Sequence, residues 1–227
     1  MPVIAFANPK GGAGKTTAAL LLATELSAGG ASVTIVDADP ERWISQWGAL
    51  SGRPDAITIV TEVNEDTIVE AIESASGKTQ FVIVDLEGTA SLMVASAIGM
   101  ADLVIIPIQG SSMDARGGAK TVRLIRNQER LARRSIPHAA LLTRTGAAVA
   151  SRSLRNVAEQ LRRGGVPVFA TPIVERAAYR DLFDYGGTLA DLDPAQVSNL
   201  GRARDNALEF ASEVVLRLKA EAEREAA

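Results

Sequence analysis

Short apolar runs that alternate with helical segments constrain the fold of this 227-residue chain more than any other feature. The runs are continuous and do not alternate with polar residues, which is typical of strands in a parallel sheet that is buried on both faces. Repeated strand–helix units of this kind predict an α/β fold: a doubly wound, mostly parallel sheet with helices on both faces. The predicted strands are Val3–Asn8, Val33–Asp39, Ile57–Val60, Phe81–Leu86, Leu103–Ile108, Ala139–Thr143 and Val166–Ile173.

The segments between the strands have the residue spacing and the end signals of helices. Helices are predicted at Lys15–Ala28, Glu41–Leu50, Glu65–Ser76, Thr89–Met100, Ser111–Arg134 and Arg152–Arg163, with a long helix after Pro194. We expect a break at Gly117-Gly118 in the fifth of these helices, and fraying of the tail after about residue 219. No linker or repeat divides the chain, so a single domain over residues 1–227 is expected.

Composition excludes several classes of site. The chain has no cysteine, so it has no disulfide, iron–sulfur cluster or thiolate zinc site, and one histidine is too few for a histidine-rich metal site. Aromatic residues make up 4% of the chain, which argues against stacking platforms for single-stranded nucleic acid. The N-terminus lacks the basic region of a signal peptide, and no apolar run approaches the ~20 residues that span a bilayer. A cytoplasmic location is therefore expected.

The most specific motif is a glycine-rich segment between the first strand and the first helix. It reads Lys10-Gly11-Gly12-Ala13-Gly14-Lys15-Thr16-Thr17. Glycines allow backbone N–H groups to turn inward toward phosphates, and the following helix N-terminus adds positive potential. In such a loop Lys15 would bridge the β- and γ-phosphates, and the Thr16 hydroxyl would bind Mg²⁺. The segment predicts a site for a nucleoside triphosphate and Mg²⁺.

Acidic residues lie at the C-terminal ends of two other predicted strands. Asp37 and Asp39 end the second strand, and Asp85 lies within the run Phe81–Leu86. Ligands of open α/β sheets bind at the carboxyl ends of the strands, so we expect these carboxylates to lie beside the glycine-rich loop.

The loop departs from the standard phosphate-binding pattern in one informative way. Pro9 occupies the position of the first glycine, and a second lysine, Lys10, precedes Lys15 by five residues. This resembles the deviant Walker A motif, K-G-G-x-G-K-T, of the ParA/MinD family of dimeric ATPases. Four further segments are similar to motifs of that family: Asp37-Ala38-Asp39-Pro40 to its D-x-D-P motif, Phe81–Asp85 to its Walker B strand, Leu103–Gln109 to its strand-five segment, and Pro172 through Gly186 to its late P-x-x-x-R…G segment.

The resemblance implies a role for each matching residue. Lys10 would reach across a homodimer to the partner's phosphates, and Asp39 would orient the attacking water. Asp37 and Asp85 would hold the water shell of Mg²⁺ with Thr16. The implied catalytic residues are thus Lys10, Lys15 and Asp39, and ATP and Mg²⁺ are the implied cofactors. The residues alone leave open that Lys10 is a solvated loop lysine and that Asp39 only ends a strand.

The choice of adenine also depends on the resemblance. Many relatives have an asparagine for the base near the sixth strand, where this chain has Thr143-Arg144-Thr145. No N-K-x-D motif for guanine is present. Trp43 and Trp47 lie shortly after the D-x-D-P motif; core packing is the favoured prediction, and a position beside the nucleotide or at a partner contact is the alternative.

A basic block occupies the second half of the chain. Residues 1–100 contain 5 Lys/Arg against 12 Asp/Glu, whereas residues 116–163 contain 12 against 2. At about 100° per residue, the cations of the helix near residues 116–134 fall within an arc of roughly 140°. Clustered charge of this kind favours contact with the backbone of duplex DNA; the alternative is a solvated face that pairs with the acidic first 100 residues. The candidate DNA-binding residues are Arg116, Lys120, Arg123, Arg126, Arg130, Arg133, Arg134, Arg152, Arg155, Arg162 and Arg163.

These features predict a ParA-like ATPase close to the small, solitary, VirC1-like members of the family. ATP would close a homodimer that binds double-stranded DNA without sequence preference, and hydrolysis stimulated by a partner protein would release it. Such cycling distributes plasmids, chromosome origins or protein cargo over the nucleoid. Because the chain starts almost directly with the first strand, we expect it to lack the helix-turn-helix extension of larger relatives.

Two alternatives remain at this point. A MinD-like membrane switch would need a basic amphipathic C-terminal helix, but residues 219–225 are acidic and alanine-rich, so membrane binding is not expected. An ATP-dependent metabolic ligase, such as dethiobiotin synthetase, would need a substrate pocket with its own polar cluster, which the sequence does not reveal.

Overall fold

Six strands form one parallel sheet in the computed structural model, which describes residues 1–110, 112–146 and 152–225, without the side chains of residues 112–115, 152 and 225. The order across the sheet is β3-β2-β4-β1-β5-β6. All pairings between these strands are parallel, which confirms the predicted sheet. The strands are β1 Val3–Phe6, β2 Val33–Ala38, β3 Ile57–Val60, β4 Phe81–Leu86, β5 Leu103–Ile108 and β6 His138–Leu142.

Helices cover both faces of the sheet, as predicted. One face packs against α1, α2, α7 and α8, and the other packs against α3, α4, α5 and α6. Every residue of β1, β2 and β5 is buried, which explains why these strands read as unbroken apolar runs. The helices are α1 Lys15–Ala28, α2 Trp43–Ala49, α3 Ile68–Ser76, α4 Leu92–Met100, α5 Ser112–Ala132, α6 Arg152–Arg163, α7 Ala177–Tyr185 and α8 Leu200–Glu225. None of the described helices combines the length and apolar character needed to cross a bilayer.

The topology brings the polar ends of three strands together. β1 lies in the middle of the sheet between β4 and β5, and the strand order changes direction beside it. Asp37 of β2 is the register partner of Asp85 of β4, and Phe6 of β1 flanks Asp85 on the other side. The glycine-rich loop leaves β1 at this same edge, which is where open α/β sheets bind their ligands.

The predicted strand Val166–Ile173 is not formed. The segment runs beside β6 but makes only isolated bridges, Ala140 with Val168 and Thr145 with Val174. Its middle turns away because the N–H groups of Ala170 and Thr171 donate to the Glu213 carboxylate of α8, both at 2.9 Å. Pro167 and Pro172 have no N–H group to offer to a ladder, which further interrupts the pairing.

The predicted break at Gly117-Gly118 was wrong, since helix α5 runs unbroken from Ser112 to Ala132. The two glycines are sites of close packing instead. A Cβ on Gly117 would lie 3.0 Å from Asn8 Oδ1, and one on Gly118 would lie 2.5 Å from Ile108 Cδ1. The glycines therefore allow α5 to approach the sheet and the start of the phosphate loop.

Helix α8 continues to Glu225, and an Arg224–Glu221 contact of 2.7 Å lies in its last turns. Fraying of the tail after about residue 219 stays a prediction. Helix α7 was not predicted, because its residues were interpreted only as part of a motif segment. Charged residues interrupt the apolar residues of AAYRDLFDY, and tertiary packing buries Ala178, Tyr179 and Leu182.

Candidate functional site

The glycine-rich loop has the backbone of a phosphate cradle. Gly12 and Gly14 have φ angles of 72° and 90°, in the left-handed region that favours glycine. Gly14 caps the N-terminus of α1, so the helix begins at Lys15 and directs its unpaired N–H groups toward the loop. Lys15 is 5% exposed. A lysine buried this deeply needs an anionic partner, which supports its predicted place at a phosphate.

Three side chains from neighbouring strand ends hold the loop in shape. Asn8 Oδ1 accepts from the Lys10 N–H at 3.0 Å, and Gln109 Nε2 donates to the Gly12 carbonyl at 2.6 Å. The Thr143 hydroxyl donates to the Ala13 carbonyl at 2.7 Å. None of these three contacts was predicted from the sequence; those of Gln109 and Thr143 join segments that are distant in the chain, whereas that of Asn8 spans two residues.

Two buried carboxylates lie side by side next to the loop. Asp37 is 1% exposed and Asp85 is fully buried. Asp37 Oδ1 and both carboxylate oxygens of Asp85 have no hydrogen-bond partner. Burial raises the pKa of Asp37, and it raises the pKa of Asp85 to about 7. The neighbouring Thr16 hydroxyl and Lys15 oppose this rise at Asp85, whereas the carboxylate of Asp37 adds to it.

These orphaned oxygens fit a divalent cation. Buried carboxylates without partners are unfavourable unless a cation compensates them. In the described part of the chain no three His, Cys, Asp or Glu side chains cluster to hold a metal alone. Mg²⁺ has no such need, because it keeps several waters and takes one or two carboxylates together with substrate phosphates. Thr16, Asp37 and Asp85 are therefore suited to hold Mg²⁺ beside bound phosphates.

Asp39 lies at the rim of the site, at the turn into α2. Its Oδ1 accepts from the Glu41 N–H at 3.0 Å, and its side chain lines the cavity above the loop. Trp43 also lines this cavity and is 48% exposed, so the predicted core position of Trp43 was wrong. Trp47 is buried as predicted, and its Nε1 donates to the Gly187 carbonyl at 2.9 Å.

Lys10 is half-buried at the outer end of the loop, whereas the lining of the cavity begins at Gly11. The loop between β4 and α4 packs against the phosphate loop, since a Cβ on Gly88 would lie 3.2 Å from the Gly11 nitrogen. Gly88 was not predicted as a site residue. Its lack of a side chain allows the β4–α4 loop to contact the backbone of the phosphate loop.

The cavity has room for a nucleotide. Its main part has a volume of about 590 Å³ and lies between the phosphate loop, Trp43 and the α7 side chains Arg180, Phe183 and Asp184. A smaller extension of about 90 Å³ continues from Thr17 and Arg144 toward residues 173–176 and Tyr179. The combined space falls in the usual range for small-ligand sites. Ile173, at the end of the segment that does not form a strand, and the residues that follow it line this extension.

A separate basic surface lies on α5. Five exposed cations fall within an arc of roughly 120° at 100° per residue; we call this set the α5 stripe, and it consists of Arg116, Lys120, Arg123, Arg126 and Arg130. None of the ion pairs within the described residues involves the α5 stripe. No described acidic side chain therefore forms a direct ion pair with the α5 stripe, and the solvated face that the sequence left open as an alternative stays an alternative.

Helix α6 forms a groove with part of the α5 stripe. The groove has a volume of about 480 Å³, and Arg116, Arg123 and Arg126 line it opposite Gln160 and Gly164. Its floor is formed by apolar residues such as Val122 and Leu161. The arrangement is a concave surface with cations along one wall.

The structure separates the other predicted DNA contacts from this stripe. Arg133 follows the end of α5 with a φ of 52°, and Arg134 donates to the carbonyls of Gly99 and Ala101 at 2.7 and 2.9 Å. Arg134 therefore fastens the end of α5 to the end of α4 and is only half-exposed. This packing role does not fit the prediction that Arg134 belongs to a phosphate-binding stripe.

The cations of α6 are also dispersed. Arg163 pairs with Glu159, and the side chain of Arg152 lies outside the described residues. Arg155 and Arg162 are exposed but lie roughly 140–160° around α6 from the groove-facing Gln160. The predicted second basic helix therefore does not extend the groove wall.

Comparisons with known proteins agree with the geometry. The family model described as VirC1 protein matches residues 1–216. Protein ParA of Rhizobium radiobacter is 40% identical over 218 residues, covering 96% of this chain and 98% of that protein. Maintenance of carboxysome distribution protein A of Halothiobacillus neapolitanus is 31% identical and covers 78% of this chain and 82% of that protein. Among solved structures, apo McdA of Cyanothece superposes with a TM-score of 0.74 at 17% identity, covering 92% of this chain and 99% of that one.

Proposed function

The chain belongs to the VirC1 family, among the ParA/MinD-like partitioning and positioning ATPases, and from that premise we propose that it hydrolyses ATP in a homodimer that binds duplex DNA. The observation that carries the ATPase part is the buried Lys15 together with three buried carboxylate oxygens that have no hydrogen-bond partner, Asp37 Oδ1 and both of Asp85. A phosphate loop that offers a lysine to the phosphates and carboxylate oxygens to a cation suits a nucleoside triphosphate bound with a metal ion.

Each residue of the site has a separate role in ATP binding and hydrolysis. The loop from Gly11 to Thr17 binds the phosphates through its N–H groups, and Lys15 stabilises negative charge on the β- and γ-phosphates. Thr16, Asp37 and Asp85 hold Mg²⁺, which when bound neutralises charge that develops on the phosphate oxygens. Asp39, at the rim, orients the attacking water. Lys10 lies ahead of the cavity lining, a position suited to contact the phosphates of a second subunit.

Binding of DNA is assigned to the α5 stripe. Its five cations are exposed, clustered and without ion-pair partners among the described residues. Clustered cations release counterions from the DNA backbone, which provides affinity without reading sequence. A homodimer presents two such stripes, so it binds much more tightly than one subunit where both can engage the same duplex.

The two activities together form a cycle. ATP closes the dimer on DNA, hydrolysis opens it, and a partner protein stimulates the hydrolysis. A cycle of this kind would hold the protein on the nucleoid and move a plasmid, a chromosome region or a protein assembly.

The deciding experiment measures binding to random-sequence duplex DNA with ATP, with ADP and without nucleotide. We expect binding that requires ATP and falls steeply between roughly 50 and 200 mM salt. The triple variant Arg123→Glu, Arg126→Glu, Arg130→Glu should bind at least roughly tenfold more weakly while it still hydrolyses ATP.

A variant with the same change in net charge controls for nonspecific electrostatics. Arg53→Glu, Lys78→Glu and Lys219→Glu reverse three exposed cations outside the α5 stripe, and this variant should retain most of the DNA affinity. Equal losses in the two triple variants, or wild-type binding by the first, would show that the α5 stripe is not the DNA-binding surface.

A further inference from the structure

Asp37 is held by a single residue of α2. Its Oδ2 accepts from the Ser45 N–H at 2.8 Å and from the Ser45 hydroxyl at 2.5 Å. Its other oxygen, Oδ1, is buried and has no partner. The two oxygens of this carboxylate therefore have different tasks, because one is fully engaged by the protein and the other is available for a ligand.

This asymmetry fixes how the carboxylate is turned. Two hydrogen bonds from one residue to one oxygen restrict rotation about the Cβ–Cγ bond of Asp37. Asp37 and Asp85 are register partners on adjacent strands, so Asp37 Oδ1 and the unpartnered Asp85 oxygens belong to one cluster. Carboxylate ligands of metals are commonly oriented by such outer hydrogen bonds.

The helix that carries Ser45 is itself anchored. Trp47, two residues later, donates through Nε1 to the Gly187 carbonyl at 2.9 Å, just after α7. The turn at Gly187 packs against the end of α2, since a Cβ on Gly52 would lie 3.0 Å from Gly187 Cα. Ser45 is thus held on a braced helix, which makes it suitable to orient another group.

We propose that Ser45 is a positioning residue for the cation site: it orients Asp37 so that Oδ1 acts with Asp85 on the Mg²⁺ that accompanies the bound nucleotide. The inference rests on the proposed nucleotide site and does not depend on DNA binding. It assigns to α2 a function that the sequence did not indicate. Ser45 acts through Asp37 and does not itself touch the phosphates.

The test compares Ser45→Ala and Ser45→Thr with the wild type by titrating Mg²⁺ into protein with a fluorescent ADP analogue, and by measuring affinity for that analogue in EDTA. In Ser45→Ala the Mg²⁺ concentration that gives half of the maximal fluorescence change should rise roughly 10-fold or more, the usual cost of losing an outer hydrogen bond to a metal ligand. Affinity in EDTA should stay within about twofold of the wild type, since the phosphate loop is unchanged. Ser45→Thr keeps both donors and should restore most of the Mg²⁺ dependence.

Ser76→Ala is the matched control. Ser76 also donates from its hydroxyl, to the Ile72 carbonyl at 2.8 Å, but it lies on α3 away from the site. Its loss should leave the Mg²⁺ titration unchanged. If Ser45→Ala does not fold, Ser45→Cys replaces it, because a thiol has a similar size and is a weaker donor.

The outcomes separate the two proposals. Failure of the wild type to bind the nucleotide in either condition would overturn the proposed nucleotide site itself. Wild-type binding with an unshifted Mg²⁺ titration in Ser45→Ala would overturn only the role of Ser45. Equal loss of affinity with Mg²⁺ and in EDTA would show that Ser45 supports the fold of the site rather than the cation, and would also overturn the proposal.

Discussion

At the residue scale, the site combines charges that are unfavourable without a ligand. Lys15, Asp37 and Asp85 are all nearly or fully buried, and three of the four carboxylate oxygens have no hydrogen bond. A folded protein keeps such groups when a ligand compensates them, and this cost is characteristic of functional sites. Asp85 is the extreme case, because its pKa rises to about 7 from an ordinary value of 3.8.

The shift of Asp85 predicts how stability depends on pH in the absence of nucleotide and metal. The folded state binds the Asp85 proton more tightly than the unfolded state does. The resulting contribution of Asp85 to the free energy of unfolding is fully present below about pH 4 and is lost as pH rises through about 7. The wild type should therefore lose unfolding free energy over this range relative to Asp85→Asn, by an amount on the order of a few kcal/mol. Urea unfolding of both proteins at several pH values measures the difference. Parallel pH profiles would contradict the prediction.

At the element scale, helix α5 joins the two surfaces of the molecule. Its exposed face carries the α5 stripe, and its buried face presents Gly117 to Asn8, the residue that bonds the Lys10 N–H. Asn8 Nδ2 also donates to the Pro107 carbonyl at 2.5 Å, so its side chain is held between the loop and β5. A side chain with both polar ends engaged has little freedom to move away from an added methyl group.

Gly117→Ala should therefore disturb the phosphate loop from a distance. The new Cβ would lie 3.0 Å from Asn8 Oδ1, so Asn8 must shift and release the Lys10 N–H. We expect nucleotide affinity to fall roughly tenfold, the cost of about one such hydrogen bond, as measured by titration with a fluorescent ADP analogue.

Gly201→Ala provides the comparison for this substitution. Gly201 lies in α8, and a Cβ there would meet nothing within 4 Å. That variant should keep wild-type affinity and gain roughly 0.5–1 kcal/mol of stability from helix propensity. Unchanged nucleotide affinity in Gly117→Ala would show that the α5–Asn8 contact does not support the loop.

At the scale of the whole molecule, the nucleotide site and the basic surface use different parts of one sheet. The site lies at the carboxyl ends of β1, β2 and β4, whereas the α5 stripe lies on a helix that covers one face. A homodimer closed over the nucleotide would need residues at the rim of the cavity that face outward. Asp39 lines the cavity and Lys10 lies just before the first lining residue, Gly11, and both are partly exposed, so dimer formation and hydrolysis should be separable by mutation.

Asp39→Ala should therefore lose hydrolysis but keep the ATP-bound dimer, whereas Lys10→Ala should lose the dimer but keep ATP binding. Without the water-orienting carboxylate, Asp39→Ala should lose roughly 100-fold or more in turnover and accumulate an ATP-bound dimer. Lys10→Ala should bind ATP but remain monomeric, because the charge offered to the partner's phosphates is removed. Light scattering after size exclusion with ATP, together with phosphate release, distinguishes the two.

The exposed Asp55 gives a control for the first variant, and Lys78 gives one for the second. Alanine at either position should change neither mass nor turnover. Wild-type hydrolysis by Asp39→Ala would remove Asp39 from the catalytic role, and a normal ATP dimer of Lys10→Ala would remove the assignment to the partner's phosphates.

The sequence by itself determined the local features of this protein. Continuous apolar runs specified the strands β1 to β6, and the glycine pattern specified the loop from Gly11 to Gly14, because backbone conformation and burial on both faces of a sheet leave a direct mark on neighbouring residues. The placement of Asp37 and Asp85 at the ligand-binding edge also followed, since parallel strands align their carboxyl ends; their direct register pairing came only with the strand order of the fold.

Tertiary structure decided whatever depends on contacts between distant segments. The run Val166–Ile173 has strand-like composition, yet Glu213 of α8 accepts hydrogen bonds from the Ala170 and Thr171 N–H groups, and the run forms only isolated bridges. Trp43 and Trp47 are four residues apart in sequence, but Trp47 is buried and donates to the Gly187 carbonyl, whereas Trp43 is 48% exposed. Arg134 and Ser45 acquired their partners in the same way, through the packing of α5 on α4 and of α2 beside β2. Local sequence carries no record of such partners, because each contact is formed by residues that only the complete fold brings together.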